Sequence, residues 1–295
     1  MNLKYMRMLP GMEYSTTPAP EPDDHEGVVR ITVDTAEQVP RKPDGVTLRR
    51  GLRYHEGLRL DLHTPSTPGR HPLVVYLPGG GFAVAPRAMA RRERAFIAAS
   101  GYAVASVQYR TTRQKATYRQ GLADAQAAIG YLTGRAEDFG IDPGRIGVWG
   151  ESAGGYMASL VGLEDERIGA VVDKFGAVDI ARLAEGFDQR MHTFLGNPDN
   201  AVNRYGAAEA NPADLARPGA PAFLLLHGDD DRVIPPAQTL ELHLALRAAG
   251  VDSTRYLLTG AGHGHLALSG EQSRQWTSLQ VMTLVRDFLD RNLRG

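Results

Sequence analysis

A chain of 295 residues, 42% hydrophobic and 23% charged, has ordinary globular composition and a length that suits one large α/β domain. Its formal net charge of −1, without a basic block, gives no footprint for nucleic acid or an anionic membrane surface. The absence of cysteine excludes disulfides, thiolate metal sites and cysteine nucleophiles. No run of residues has the length to span a bilayer, and Met1 to Met12 lacks the apolar core of a secretory signal, so the expectation is a cytoplasmic protein.

Residues 1–45 read as an N-terminal arm. Pro10, Pro18, Pro20, Pro22, Pro40 and Pro43 interrupt regular structure there, and Val28 to Val33 is the one candidate strand. The arm either lies partly disordered on the body or covers the site through Tyr14 and its neighbours.

Residues 46–295 alternate between strands and helices. Val46 to Tyr54 and Leu58 to Leu62, around His55-Glu56-Gly57, predict a hairpin. Leu73 to Leu77 and Tyr102 to Tyr109 are buried strands flanking a helix from Arg87 to Ser100 that Gly101 stops. Tyr118, Leu122, Ala125, Ile129 and Leu132 mark one face of an amphipathic helix. A strand over Arg145 to Trp149 runs into a helix after Ser152, followed by strands at Ile168 to Phe175 and Ala222 to Leu226. A helix over Pro236 to Ala249, a strand over Ser253 to Leu258 and a helix around Val281, Leu284, Val285 and Phe288 close the chain. Continuous apolar strands alternating with helices predict an α/β fold, a mostly parallel sheet covered on both faces. Its chemistry belongs at the carboxyl ends of the strands.

The loops at those carboxyl ends carry reactive residue types. After Leu77 comes Pro78-Gly79-Gly80-Gly81-Phe82, and after Trp149 comes Gly150-Glu151-Ser152-Ala153-Gly154. After Leu226 comes His227-Gly228-Asp229-Asp230-Asp231, and after Leu258 comes Gly260-Ala261-Gly262-His263-Gly264-His265. The small-x-Ser-x-small pattern is a forced strand-to-helix turn, where side chains two positions either side of the serine would clash. A serine hydroxyl near neutral pH needs a base, here His263 or His265, and the base needs an acid, here Asp229, Asp230 or Asp231. The glycine loop lacks both a following Lys-Ser and the Gly-x-Gly-x-x-Gly spacing, which argues against nucleotide binding. His263 and His265 lack companion ligands, so neither a metal nor another cofactor is expected. His25, His55, His63, His71, His192 and His243 read as surface or packing residues. Arg87, Arg91, Arg92 and Arg94 read as a solvated helix face.

From Leu58 onward the chain resembles the α/β-hydrolase superfamily, closest to esterases with a His-Gly-Gly-Gly loop. These are the hormone-sensitive-lipase-like group and relatives of bifunctional feruloyl/acetylxylan esterases. Tyr109-Arg110, Phe139-Gly140-Ile141-Asp142-Pro143 and Phe175-Gly176 with Asp179 carry the resemblance beside the four rim loops. It selects His263 as base and Asp231 as acid, and implies an oxyanion hole from the amides of Gly80, Gly81 and Ala153. It also implies a salt bridge between Arg110 and Asp124. Pro78 stands where the family has histidine, so it cannot donate hydrogen bonds to brace the loop, though its fixed φ stiffens it.

Between Asp179 and Pro221 the connection is too long for a plain loop and reads as a helical excursion over residues 180–220. With Phe187, Met191 and Phe194 it forms a wall or lid, and Phe82 and Tyr156 line the same substrate pocket. The expectation is a serine esterase for small-molecule esters of small or medium acyl groups. Alternatives are an amidase or arylformamidase, an acyl-transferring hydrolase, and a non-catalytic ligand-binding protein on the same fold.

Overall fold

The computed structural model describes residues 25–180, 211–264 and 269–295. The apolar runs of the sequence become the inner strands of one nine-stranded sheet. In chain order these are β1 (Val28–Ile31), β2 (Val46–His55), β3 (Leu58–Pro65), β4 (His71–Leu77), β5 (Ala103–Val107), β6 (Ile141–Glu151), β7 (Ile168–Lys174), β8 (Ala222–Gly228) and β9 (Ser253–Leu258). They lie in the order β1-β9-β8-β7-β6-β4-β5-β3-β2, parallel except where β3 meets β2 and β5.

Among the described residues the α-helices are α1 (Arg91–Ala99), α2 (Tyr118–Thr133), α3 (Ala136–Phe139), α4 (Ala153–Glu164), α5 (Ala237–Ala248), α6 (Gly270–Gln275) and α7 (Leu279–Leu293). Alternation along β4 divides the core in two. Leu73, Val75 and Leu77 pack with Leu122, Ile129, Leu160 and Leu242 of α2, α4 and α5. Val74 and Tyr76 pack with Ile97 of α1 and Val281, Val285 and Phe288 of α7. The chain leaves β4 for β5 on one side and returns to β6 on the other. That reversal opens a crevice between the loops after β4 and β6, the usual ligand position in such sheets. Among the described residues, no helix is long and apolar enough to cross a membrane.

Several boundaries differ from those the sequence predicts. The candidate strand at Val28 to Val33 does form, but as β1 it ends at Ile31; it runs parallel to β9. Val39 is fully buried and donates its amide to the Thr277 carbonyl at 3.2 Å. Tyr14 lies outside the described residues. Helix α1 begins at Arg91 rather than Arg87 because Ala90 takes a left-handed conformation at φ 47°. The preceding turn is held from within the protein: Arg94 donates to the Arg87 carbonyl at 2.7 Å and to the Met89 carbonyl at 2.9 Å.

The expected solvated arginine face is therefore corrected. Arg94 is 1% exposed and stacks over Tyr76, and Arg87 pairs with Asp61 at 3.2 Å. Arg92 is half-buried and donates to the Val39 carbonyl, which leaves Arg91 exposed. His63 and His243 are buried packing residues, the latter hydrogen-bonded to Ser253 and the Glu26 carbonyl.

Asp173, near the end of β7, lies wholly inside the protein under the first turns of α4. Burial pushes its carboxyl up to about 7, against the pull of the Ser159 hydroxyl and the Gly176 amide. The folded chain thus holds a proton that the unfolded chain releases near 3.8. Between those values stability falls as pH rises, by up to about 1.4 kcal/mol per pH unit. Chemical denaturation at pH 5 and pH 8 should show this loss in the wild type and a smaller one in Asp173→Asn. Equal losses in the two proteins would refute it.

Candidate active site

The turn at Ser152 is a steric necessity. Serine sits at φ 58°, ψ −125° between β6 and α4, a conformation that costs on the order of 1–3 kcal/mol. A Cβ on Gly150 would overlap the Gly154 carbonyl, and one on Gly154 would overlap the Leu77 carbonyl. The elbow is pinned by the Ser152 amide, which donates to the Lys174 carbonyl at 3.0 Å, and by the Gly155 and Tyr156 amides, which donate to the Ser152 carbonyl. Just before it, Glu151 accepts the Tyr76 phenol at 3.2 Å and faces the buried Lys174 at 3.7 Å.

His263 and Asp231 arrive from the loops after β9 and β8. The imidazole Nε2 lies 2.9 Å from Ser152 Oγ, and Nδ1 lies 2.7 Å from Asp231 Oδ2. The carboxylate can only accept, so Nδ1 carries the proton and Nε2 is left to accept from the serine. The other carboxylate oxygen takes the amides of Val233 and Ile234 at 2.8 and 2.9 Å. Burial pushes the Asp231 carboxyl up, but the neighbouring His263 and His227 outweigh it and hold it below the ordinary carboxylate value. Asp229 and Asp230 serve elsewhere: Asp229 pairs with Arg30 at 2.7 Å and Asp230 with Arg232 at 2.9 Å. His265 lies outside the described residues.

Two aromatic residues that the sequence does not assign to the site hold the imidazole in place. The Phe175 ring meets His263 edge-on at 4.8 Å and Trp276 at 4.6 Å. Trp276 in turn donates its indole N–H to the Gly262 carbonyl at 2.9 Å. Phe175-Gly176 is visible as part of the family resemblance, but nothing in the pattern around Trp276 marks it.

The glycine loop presses on the elbow. A Cβ on Gly79 would stand 2.6 Å from the Glu151 carbonyl oxygen and 3.2 Å from Ser152 Cβ. Gly80 and Gly81 have φ of 152° and 58°. No hydrogen-bond partner among the described residues takes the amides of Gly80, Gly81 or Ala153. The loop carrying Pro78 is braced from the β5 exit: the Tyr109 phenol donates to the Pro78 carbonyl at 2.7 Å, and Thr111 and Thr112 hydroxyls donate to the Ala83 and Phe82 carbonyls. That exit segment is fixed in turn by Arg110, which grips Asp124 with Nε and Nη2 at 2.8 and 2.7 Å.

Beside the loop, Phe82 and Tyr156 meet edge to face at 5.6 Å, both buried. Phe187, Met191 and Phe194, expected in the same pocket, lie outside the described residues.

The chain as a whole is similar to known proteins. Residues 60–246 match the family model BD-FAE. Esterase LipC of Mycobacterium tuberculosis is 30% identical over 229 residues, 71% of this chain and 56% of that protein. Esterase LipQ of the same organism is 28% identical over 244 residues, 75% of this chain and 56% of that protein. The chain thus spans little more than half the length of these relatives. A truncated carbohydrate esterase from gut microbiota superposes with a TM-score of 0.69 at 21% identity, covering 87% of this chain and 100% of that one. That likeness gives the fold, the α/β-hydrolase fold. With the family match extending over more than half of its residues, the chain belongs to the BD-FAE family.

Proposed function

We propose that this chain is a serine carboxylic-ester hydrolase for small-molecule esters of small or medium acyl groups. The observation that carries the reading is the hydrogen-bonded run from Ser152 Oγ through both nitrogens of His263 to Asp231. His263 takes the serine proton as Oγ attacks the ester carbonyl, and Asp231 stabilises the imidazolium that forms. The amides of Gly80, Gly81 and Ala153 receive the oxyanion, each worth on the order of 3 kcal/mol in the transition state. His263 then gives its proton to the departing alcohol, and water, deprotonated by the same ring, releases the acid from Ser152.

The buried pair Phe82–Tyr156 supports a short acyl site. The names of the relatives, esterases both, support the ester bond. We place the reaction in the cytoplasm, in keeping with a chain that has no cysteine.

Hydrolysis of p-nitrophenyl acetate should be readily measured in the wild type and fall about 10⁴-fold or more in Ser152→Ala. A fluorophosphonate probe should label the wild type alone. No turnover together with an unlabelled Ser152 would remove the esterase reading. His263→Ala should lose activity as Ser152→Ala does, whereas His265→Ala keeps it; the reverse pattern would move the base to His265. A second series, of p-nitrophenyl acetate, butyrate and laurate, should favour the short esters in kcat/KM by about tenfold or more. A preference for laurate would overturn the short acyl site.

A further inference from the structure

The carboxylate of Asp231 meets two imidazoles. The second belongs to His227 at the end of β8, four residues earlier and wholly buried. Its Nε2 stands 2.9 Å from the Ile234 carbonyl oxygen and 3.3 Å from Asp231 Oδ2. Neither of those oxygens can donate, so Nε2 carries a proton and shares it between them.

The opposite edge of the ring is also controlled. His227 Nδ1 lies 2.8 Å from Thr239 Oγ1, on α5. That hydroxyl oxygen already accepts from Arg255 Nε at 3.1 Å, on β9. Its own proton can turn to Nδ1 at 2.8 Å or to the Pro236 carbonyl at 3.3 Å, and the shorter bond wins. The Pro236 carbonyl is meanwhile taken by Arg255 Nη2 at 2.9 Å. Donors therefore run one way: Arg255 to Thr239, Thr239 to His227, His227 to Asp231. From the other side they run Ser152 to His263, and His263 to Asp231. Arg255, Thr239, His227 and Asp231 are all 0–1% exposed.

We propose that His227 is a positioning residue for Asp231, its tautomer fixed by Thr239 and Arg255, so that one carboxylate oxygen is held by two imidazole N–H groups at once. The inference rests on the serine-hydrolase reading above. With Oδ1 bound by the Val233 and Ile234 amides and Oδ2 by the two rings, the carboxylate cannot rotate away from His263. The second donor also takes part of the carboxylate's charge, which would otherwise fall wholly on the catalytic ring.

Other charged groups nearby are engaged outside the chain of donors. Asp229 is paired with Arg30, and Asp230 with Arg232. His243 of α5 is bonded to Ser253 and the Glu26 carbonyl.

The test uses the full-length protein and p-nitrophenyl acetate, with wild type and Ser152→Ala measured first. His227→Leu should lower kcat by about 10–100-fold, the effect of losing a hydrogen bond to a charged group. KM should stay within about twofold. The acidic limb of kcat/KM, which reports the free enzyme's base, should move up by about half a pH unit or more, because the unshared carboxylate favours the imidazolium. His227→Gln, whose amide N–H can reach the place of Nε2, should restore most of kcat and return the limb. Thr239→Val should shift the limb the same way by less.

An unmoved limb in His227→Leu, with or without a fall in kcat, overturns the inference, as does failure of glutamine to rescue. Should the leucine variant not fold, as judged by circular dichroism, Thr239→Val decides: a limb at the wild-type pH overturns the inference, and an upward shift supports it. Absent wild-type turnover, or full turnover in Ser152→Ala, overturns the serine-hydrolase reading beneath it instead.

Discussion

The strained turn at Ser152 is the constraint around which the site is built. Leu77, Gly150, Gly154 and Gly155 bring three stretches of backbone so close that no Cβ fits at the glycines. That closeness is what makes the loop after β4 and the start of α4 share one small space. A serine at φ 58° is unfavourable on its own by on the order of 1–3 kcal/mol. It persists because the strand before it is hydrogen-bonded on both sides and the helix after it is buried along almost its whole length. The local cost is offset by the burial of Trp149, Val148, Tyr156, Met157 and Leu160 on either side of the turn.

Two buried carboxylates, one on β7 and one in the loop after β8, show how the same desolvation leads to opposite outcomes. Asp173 on β7 has a hydroxyl and an amide for company, and burial wins: its carboxyl titrates near neutrality. Asp231, just beyond β8, is equally buried but receives two backbone amides and two imidazoles, and stays ionised. Burial alone therefore does not decide charge. The difference lies in the number of N–H donors the chain aims at each group, and only the group facing His263 has a full set.

Much of this was legible in the sequence because it depends on short-range patterns. The apolar runs at 73–77, 222–226 and 253–258 are strands with nearly the expected bounds, and the Tyr118–Leu132 stripe is buried along its whole length. The four rim loops were readable for the same reason: each is a local break in such a run. Features set by distant partners were not. Arg94 is polar and lies in a helix crowded with arginines, so nothing local marks it as buried; the Tyr76 ring and three carbonyl contacts make it so. The partner of Val28–Ile31 lies more than two hundred residues away, in β9. Trp276 supports the histidine loop from a turn between two helices, a position with no periodic signature.

Those distant contacts converge on the acid and histidine loops. Asp230 donates its amide to the Ala261 carbonyl at 3.0 Å, and Asp229 accepts the Gly260 amide at 2.6 Å. Gly228 has no room for a Cβ, because Ala261 lies against it. The two loops are thus one unit before His263 reaches Asp231. Arg30 of β1 ties that unit to the N-terminal strand through Asp229, and Gln272 and Ser273 tie it to α6 through Asp230 and the Gly264 carbonyl. A histidine on a glycine-rich loop would otherwise sample many positions. Here its position is set from four sides, by the acid loop, α6, Phe175 and the edge strand, so the flexibility written into Gly260-Ala261-Gly262-His263-Gly264 serves close packing rather than motion.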